Sequence, residues 1–82
     1  ILDVPTLGME LTRVLAENYP GLLSERYKLE ELAEMPLENM ENMALKRGCI
    51  LPGKRIDYER IAKLVLDEFR GGKIGRITLE RP

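Results

Sequence analysis

Several residue types are missing or scarce in this chain of 82 residues, and each absence narrows the possible functions. There is no histidine, so imidazole-based catalysis and histidine metal sites are excluded. The single cysteine, Cys49, excludes an internal disulfide and predicts a reducing, cytoplasmic environment. No apolar run approaches the roughly 20 residues that a membrane-spanning helix needs, so no contact with a membrane is expected.

The chain is also short, and a domain of this size buries only about 60–65% of the surface that its unfolded form exposes. Because it begins at Ile1 rather than at methionine, we interpret residues 1–82 as a single domain cut from a longer protein. Its composition, with 44% hydrophobic and 33% charged residues, is typical of a globular domain rather than a disordered segment. We expect this domain to be a monomer.

Charge is distributed unevenly along the chain, although the net charge is only −1. Residues 1–45 contain three basic and nine acidic residues, a net charge of −6, whereas residues 46–82 contain ten basic and five acidic residues, a net charge of +5. This asymmetry has two interpretations. Either the C-terminal half binds a polyanion, or the two halves neutralise each other within one fold.

Apolar residues at helical spacing predict an all-α fold, a compact bundle of four to five short helices. Asp3 is the expected N-cap of the first helix. Pro20 is expected to end that helix and to begin the second. The apolar stripe expected on the first helix consists of Val4, Leu7, Leu11, Val14 and Leu15. Gly8 weakens this helix by roughly 0.5–1 kcal/mol relative to alanine, which is tolerable if another element packs closely there.

The remainder of the chain predicts one helical turn, two longer helices and an extended arm. The turn is expected over residues 29–35, followed by a helix over residues 37–47 that Gly48 caps. Residues 49–56 are expected to form a loop. The last helix should begin after Asp57 and end at Gly71, and residues 72–82 should form an extended C-terminal arm.

One stretch imitates a nucleotide-binding motif. Gly48, Gly53 and Lys54 reproduce G-x-x-x-x-G-K, the first seven positions of a P-loop. However, Arg55 stands where the motif needs a magnesium-binding serine or threonine, Pro52 removes one backbone N–H, and a helix rather than a strand is expected before the match. We interpret the match as coincidental and expect no catalytic site, cofactor or metal on this chain.

Lysine and arginine residues of the C-terminal half are the candidate site. Cations grouped around helix ends and loops are what binding to a phosphate backbone requires, and arginine adds bidentate geometry. Asp67 offers an alternative, because it could pair with Lys63 and Arg70 in a solvated lattice of ion pairs. The candidate RNA-binding residues are Lys46, Arg47, Lys54, Arg55, Arg60, Lys63, Arg70, Lys73 and Arg76.

Aromatic residues could in principle stack on unpaired bases. Tyr58 and Phe69 nevertheless fall on the apolar face of the last predicted helix, so we expect both to pack in the core.

Four sequence elements carry a resemblance to a known family. These are N-Y-P-x-x-L-x-x-R-Y at residues 18–27, K-R-G at residues 46–48, D-x-x-R-x-A at residues 57–62 and F-R-x-G-K-x-G-R-I-T-L-E at residues 69–80. Together they resemble the C-terminal helical domain of the ribosome biogenesis GTPase A family, bacterial members of the circularly permuted GTPases. The resemblance covers nearly the whole chain and is weakest over residues 30–41, while the start, with Pro5 and Gly8, departs from the family pattern.

The resemblance implies a function that composition alone does not show. In that family a GTPase domain, which binds GTP and magnesium, precedes an RNA-binding helical domain, and the protein assists late assembly of the large (50S) ribosomal subunit. The implied partners are ribosomal RNA and the upstream GTPase domain. The alternative is a protein–protein module that docks on the GTPase domain and regulates it without touching RNA.

Overall fold

A computed structural model of the chain describes residues 3–74, which fold into four helices and one small β-hairpin. The expectation of a mostly helical bundle is confirmed, whereas all of the expected extended arm beyond Ile74 lies outside the described residues. The elements in chain order are α1 (Val4–Asn18), α2 (Pro20–Tyr27), α3 (Pro36–Arg47), β1 (Ile50–Leu51), β2 (Arg55–Ile56) and α4 (Tyr58–Arg70).

Capping residues set the helix boundaries where the sequence placed them. The Asp3 carboxylate accepts a hydrogen bond from the Thr6 backbone N–H at 2.9 Å, and Asp57 accepts one from the Arg60 N–H at 3.1 Å. Pro20 is the first residue of α2, where its missing N–H costs nothing. Gly48 ends α3 in the left-handed conformation, with a φ of 71°.

The core lies between α1 and α4, which pack together more extensively than any other pair of elements. Its buried side chains come from all four helices and from the segments that follow α2, α3 and α4. Leu15, Leu23, Met43, Ile61 and Val65 are completely buried. Leu23 and Tyr27 are both buried, one turn apart on α2.

The buried face of α1 differs from the predicted stripe. Val4 and Leu7 are 41% and 40% exposed, while Gly8 and Thr12 are buried with Leu11 and Leu15. The face is rotated because Gly8 lies directly against Ala62 of α4, at a separation that leaves no room for a Cβ atom. Thr12 is satisfied within the helix, since its hydroxyl donates to the Gly8 carbonyl at 2.8 Å.

Two local predictions were wrong. Residues 29–35 form no helical turn, because the Asn39 side chain donates to the Ala33 carbonyl and accepts from its N–H, which holds that segment in an irregular path. Residues 49–56 are not only a loop, because β1 and β2 pair antiparallel with Ile50 opposite Ile56. The strands are joined by the three residues Pro52-Gly53-Lys54. A connection of this length that contains glycine is common in hairpins, and Gly53 adopts the positive φ, 82°, that the turn needs.

Candidate nucleic-acid interface

The candidate cations of the C-terminal half lie almost entirely on the surface. Arg76 lies outside the described residues, and Arg47 is half-buried. The other seven are exposed and, within residues 3–74, none of them forms an ion pair: Lys46, Lys54, Arg55, Arg60, Lys63, Arg70 and Lys73.

Three of the candidate cations, Arg47, Arg60 and Lys63, line one surface groove between the end of α3, the start of the hairpin and α4. We call it the basic groove, and it has a volume of about 280 Å³. The residues that line it are Arg47, Cys49, Arg60, Lys63, Leu64 and Asp67. Arg47 is paired with Glu68, so Arg60 and Lys63 against Asp67 leave the groove with a net positive charge that suits a phosphate group.

The exposed face of α4 extends this positive surface along the helix. Arg60, Lys63, Asp67 and Arg70 recur at intervals of three and four residues, which places them on one side of α4. A rise of about 1.5 Å per residue separates Arg60 from Arg70 by about 15 Å along the axis. The alternative lattice of ion pairs is not formed, since Asp67 pairs with neither Lys63 nor Arg70 in the structure of residues 3–74.

The hairpin carries two further candidates, Lys54 in its turn and Arg55 at the start of β2. Lys54 has a φ of 61°, a left-handed conformation that is strained for a residue with a Cβ atom. Both side chains are exposed. The hairpin therefore presents two exposed cations, and along the chain it connects α3 to α4, the two helices that contribute residues to the basic groove.

Arg47 differs from the other candidates because it is already bound within the protein. Its guanidinium donates to the Glu68 carboxylate at 2.9 Å and to the Arg26 carbonyl at 3.4 Å, and it lies 4.8 Å from the centre of the Tyr27 ring. Its side chain is 27% exposed. Arg47 thus supports the wall of the basic groove and has limited freedom to follow a ligand.

Glu68 is one of the residues that sequence reasoning missed. It is buried on α4 and accepts hydrogen bonds from Arg26, Tyr27 and Arg47, which lie on α2 and α3. Burial raises the pKa of its carboxyl, but the hydrogen bonds and the Arg47 charge outweigh this effect and lower the pKa to about 2. The missed signal was a glutamate three residues after Val65, on the same side of the helix as the predicted core.

This low pKa predicts that the protein loses stability in acid. Relative to an ordinary value of 4.5, the folded state binds the Glu68 proton more weakly than the unfolded state. The associated stability, about 3 kcal/mol, is therefore complete above about pH 5 and is lost as the pH falls towards 2. Urea unfolding measured between pH 7 and pH 2.5 should show this decline in wild type and a weaker decline in Glu68→Gln. Identical pH profiles would contradict the assignment.

Lys73 lies apart from the basic groove. It lines a second groove with Arg26 and Lys28, on the side of the molecule formed by α2 and the end of α4. Sequence reasoning missed both Arg26 and Lys28, because they belong to the acidic half of the chain and only the fold brings them to the basic half. The predicted residues that lie within residues 3–74 therefore do not all line one groove.

The segment that imitates a P-loop has a different geometry. Gly48 caps a helix, and residues 50–56 form the hairpin, so no strand leads into the glycine and no helix begins at Lys54. Cys49 is 2% exposed, and burial raises the pKa of its thiol despite the nearby Arg60 and Arg47 charges. Cys49 is thus a small core residue at the base of the hairpin.

The two aromatic residues of α4 differ in their surroundings. Phe69 is partly buried against the core, but Tyr58 is 36% exposed and donates its hydroxyl hydrogen bond to Glu41 on α3. The prediction that Tyr58 packs in the core was therefore wrong, because Asp57 starts the helix at the edge of the bundle. Tyr58 instead lines an apolar groove of about 400 Å³ with Pro5, Thr6, Met9, Leu37 and Met40.

Residues 3–74 contain neither a cluster of metal-ligating side chains nor a membrane-spanning helix. Nowhere in this part of the chain do three or more Cys, Asp or Glu side chains come together in a way that could hold a metal ion. In the same residues, each helix is too short or too polar to cross a lipid bilayer.

Comparison with known proteins gives consistent relatives. Over 82 residues, the whole of this chain, it is 39% identical to a protein of Bacillus cereus and 37% identical to one of Priestia megaterium, both named Ribosome biogenesis GTPase A. A protein of Bacillus licheniformis with the same name is 35% identical over 80 residues. The chain spans only 27–28% of the length of these relatives. No protein-family model matches it.

Proposed function

We infer that this chain belongs to the ribosome biogenesis GTPase A family as its C-terminal helical domain, and we propose that it binds ribosomal RNA during late assembly of the large ribosomal subunit. The relatives' name supports a role in ribosome biogenesis, and the match to little more than a quarter of their length supports a domain of a larger protein. GTP binding, magnesium binding and hydrolysis are then tasks of the remainder of that protein, in the cytoplasm.

The basic groove is the observation that carries this proposal. Arg60 and Lys63 are exposed, unpaired within residues 3–74 and side by side on α4, while Arg47 is held at the opposite wall by Glu68. A groove with a fixed guanidinium on one wall and two free cations on the other can hold the phosphates of an RNA backbone. Lys54 and Arg55 on the hairpin and Arg70 further along α4 are also exposed and add to the positive charge of these elements.

Neutralising the basic groove should weaken RNA binding without unfolding the domain. For Arg60→Gln combined with Lys63→Gln, we expect at least a tenfold loss of affinity for large-subunit ribosomal RNA. Each phosphate contact contributes roughly 0.7–0.9 to the slope of log K against log salt, so the slope should become shallower by about 1.5. Fluorescence titrations at several salt concentrations measure both quantities.

Arg13→Gln is the matched control for this experiment. Arg13 lies on α1, is 43% exposed and pairs with Glu10 and Glu17, so its loss removes one positive charge, against two in the groove variant, at a residue that does not line the groove. Its effect on the salt slope should be small. If the groove variant and the control bind RNA equally well, the groove is not the contact surface.

A second candidate function rests on the apolar groove beside Tyr58. An exposed apolar groove of this kind is typical of a protein–protein contact, which would make the chain a module that docks on the GTPase domain. Leu37→Asp tests this alternative, since Leu37 lines the groove, is 42% exposed and lies in the first turn of α3, where a carboxylate suits the helix dipole. Loss of binding to the GTPase domain with RNA affinity retained would favour it. Leu51→Asp is the control, at a position that is 38% exposed and lines none of the three grooves.

A further inference from the structure

We propose that the second groove, between α2 and the segment that follows α4, is an additional phosphate-binding site for the same RNA, an inference that rests on the proposed function. This groove has a volume of about 390 Å³. The residues that line it are Leu22, Glu25, Arg26, Lys28, Lys73 and Ile74. Its lining residues carry three cations and one carboxylate, as those of the basic groove do, and Glu68 pairs with one cation of each groove.

Lys28 is the first indication that this groove has a purpose. It ends α2 in the left-handed conformation, with a φ of 54°, at a position where helices commonly have glycine. The helix end is otherwise satisfied, because the Lys28 and Leu29 N–H groups both donate to the Ser24 carbonyl. Glycine would form the same cap with less strain, so the backbone does not require lysine here.

Lys73 is held in place by the backbone on either side of it. Its N–H donates to the Glu68 carbonyl at 2.9 Å, and the preceding Gly72 makes the required turn with a φ of 71°. The following residue, Ile74, is only 4% exposed and anchors the segment in the core. The exposed Lys73 side chain therefore leaves from a fixed backbone position at the edge of the groove.

Arg26 completes the groove with a guanidinium of fixed orientation. Its Nε and Nη2 atoms donate to the two Glu68 oxygens at 3.1 and 3.0 Å, and within the described part of the chain its Nη1 has no partner. Glu68 binds Arg26 of this groove and Arg47 of the basic groove with the same carboxylate. The two grooves are thus adjacent, and one folded RNA element can reach both.

A purely structural role is the competing explanation for these cations. Positive side chains near the C-terminal end of α2 interact favourably with the helix dipole, and Glu25 offers them a nearby carboxylate. Such a role concerns the stability of the folded chain and is independent of RNA. Stability and RNA affinity must therefore be measured on the same variants.

Lys28→Gly separates the two explanations, because it removes the charge and relieves the strained backbone. We expect its melting temperature to equal or exceed that of wild type, while its affinity for purified large-subunit ribosomal RNA falls about three- to tenfold. The slope of log K against log salt should become shallower by about 0.7–0.9, as for the loss of one phosphate contact. Unchanged affinity and slope in this folded variant would overturn the proposal.

Glu25→Gln provides a test of opposite sign. Glu25 is the one carboxylate that residues 3–74 contribute to the lining of the second groove, and removing it should raise RNA affinity. Glu31→Gln, at an exposed position that lines neither groove, should change the affinity less. Equal effects of the two substitutions would show that only net charge matters and would overturn the site.

Arg60→Gln distinguishes failure of this inference from failure of the proposed function. If wild type binds RNA with a salt-dependent affinity and Arg60→Gln weakens it, the basic groove stands whatever Lys28→Gly does. If wild type shows no salt-dependent binding to ribosomal RNA, both the proposed function and the second groove are refuted.

Discussion

Glu68→Gln is expected to lower the free energy of unfolding by about 3 kcal/mol, because removing one member of a buried ion pair leaves its partners uncompensated. The carboxylate accepts from both Arg26 and Arg47 and from the Tyr27 hydroxyl at 2.8 Å, so it connects α4 to α2 and α3. An amide of the same shape has one acceptor oxygen, and its NH₂ group faces the arginine donors. Equilibrium unfolding in urea measures the loss.

An exposed ion pair provides the control for this experiment. Glu10→Gln removes a carboxylate that also binds an arginine, but Glu10 is 48% exposed against 9% for Glu68. Its loss should cost less than about 0.5 kcal/mol, as is usual for surface pairs on helices. Similar costs for the two substitutions would show that the Glu68 network contributes no more than a surface contact.

The Glu68 substitution also has a functional consequence. In conditions where Glu68→Gln remains folded, Arg26 and Arg47 lose the carboxylate that orients them, and both grooves lose a fixed guanidinium. Under the proposed function, RNA affinity should then fall because the lost orientation of the two guanidinium groups outweighs the removal of one negative charge. Affinity unchanged in the folded variant would mean that Glu68 acts on stability alone.

Local signals made much of the fold predictable from the sequence. The Asp3 and Asp57 side chains each accept a hydrogen bond from the backbone N–H three residues later and so cap the N-termini of α1 and α4. Pro20 fits only the first turn of a helix, and Gly48 adopts the left-handed conformation that ends one. Each of these effects depends on neighbouring residues alone. Helix boundaries governed by them were therefore predicted to within one or two residues.

The wrong predictions depend on contacts between distant parts of the chain. Asn39 holds Ala33 through its side chain, and no spacing rule anticipates this contact. The face of α1 is set by the approach of α4 at Gly8 rather than by the most hydrophobic stripe. The hairpin was missed although Pro52-Gly53 is a turn signal, because its two-residue strands are too short to show alternation.

The candidate site could be predicted in part for the same reason. Positions 60, 63 and 70 share one side of α4, and helical spacing alone places them there. Whether a cation is free or bound depends on tertiary contacts, and so does the division of the candidates between two grooves. Arg26 and Lys28 entered the site only through the fold, since α2 precedes the basic half of the sequence by about twenty residues.

After Glu68→Gln, Gly8→Ala should cause the largest loss of stability among these substitutions, since it places a methyl group where α1 and α4 touch. A Cβ atom at position 8 would lie 2.7 Å from the Ala62 Cα atom, which is backbone and cannot move aside as a flexible side chain would. The helices must separate, and we expect a loss of at least about 2 kcal/mol despite the gain of up to 1 kcal/mol in helix propensity.

Gly21→Ala is the matched control, because a Cβ atom there would meet nothing within 4 Å and the position also lies in a helix. That substitution should leave stability unchanged or raise it by up to about 1 kcal/mol, as helix propensity alone predicts. Adding Ala62→Gly to Gly8→Ala should restore part of the lost stability, because it removes the opposing methyl group. Urea unfolding of the four proteins measures these differences. If Gly8→Ala were as stable as Gly21→Ala, α1 and α4 would not be in contact at Gly8, and α4 would lack the support that orients Arg60 and Lys63.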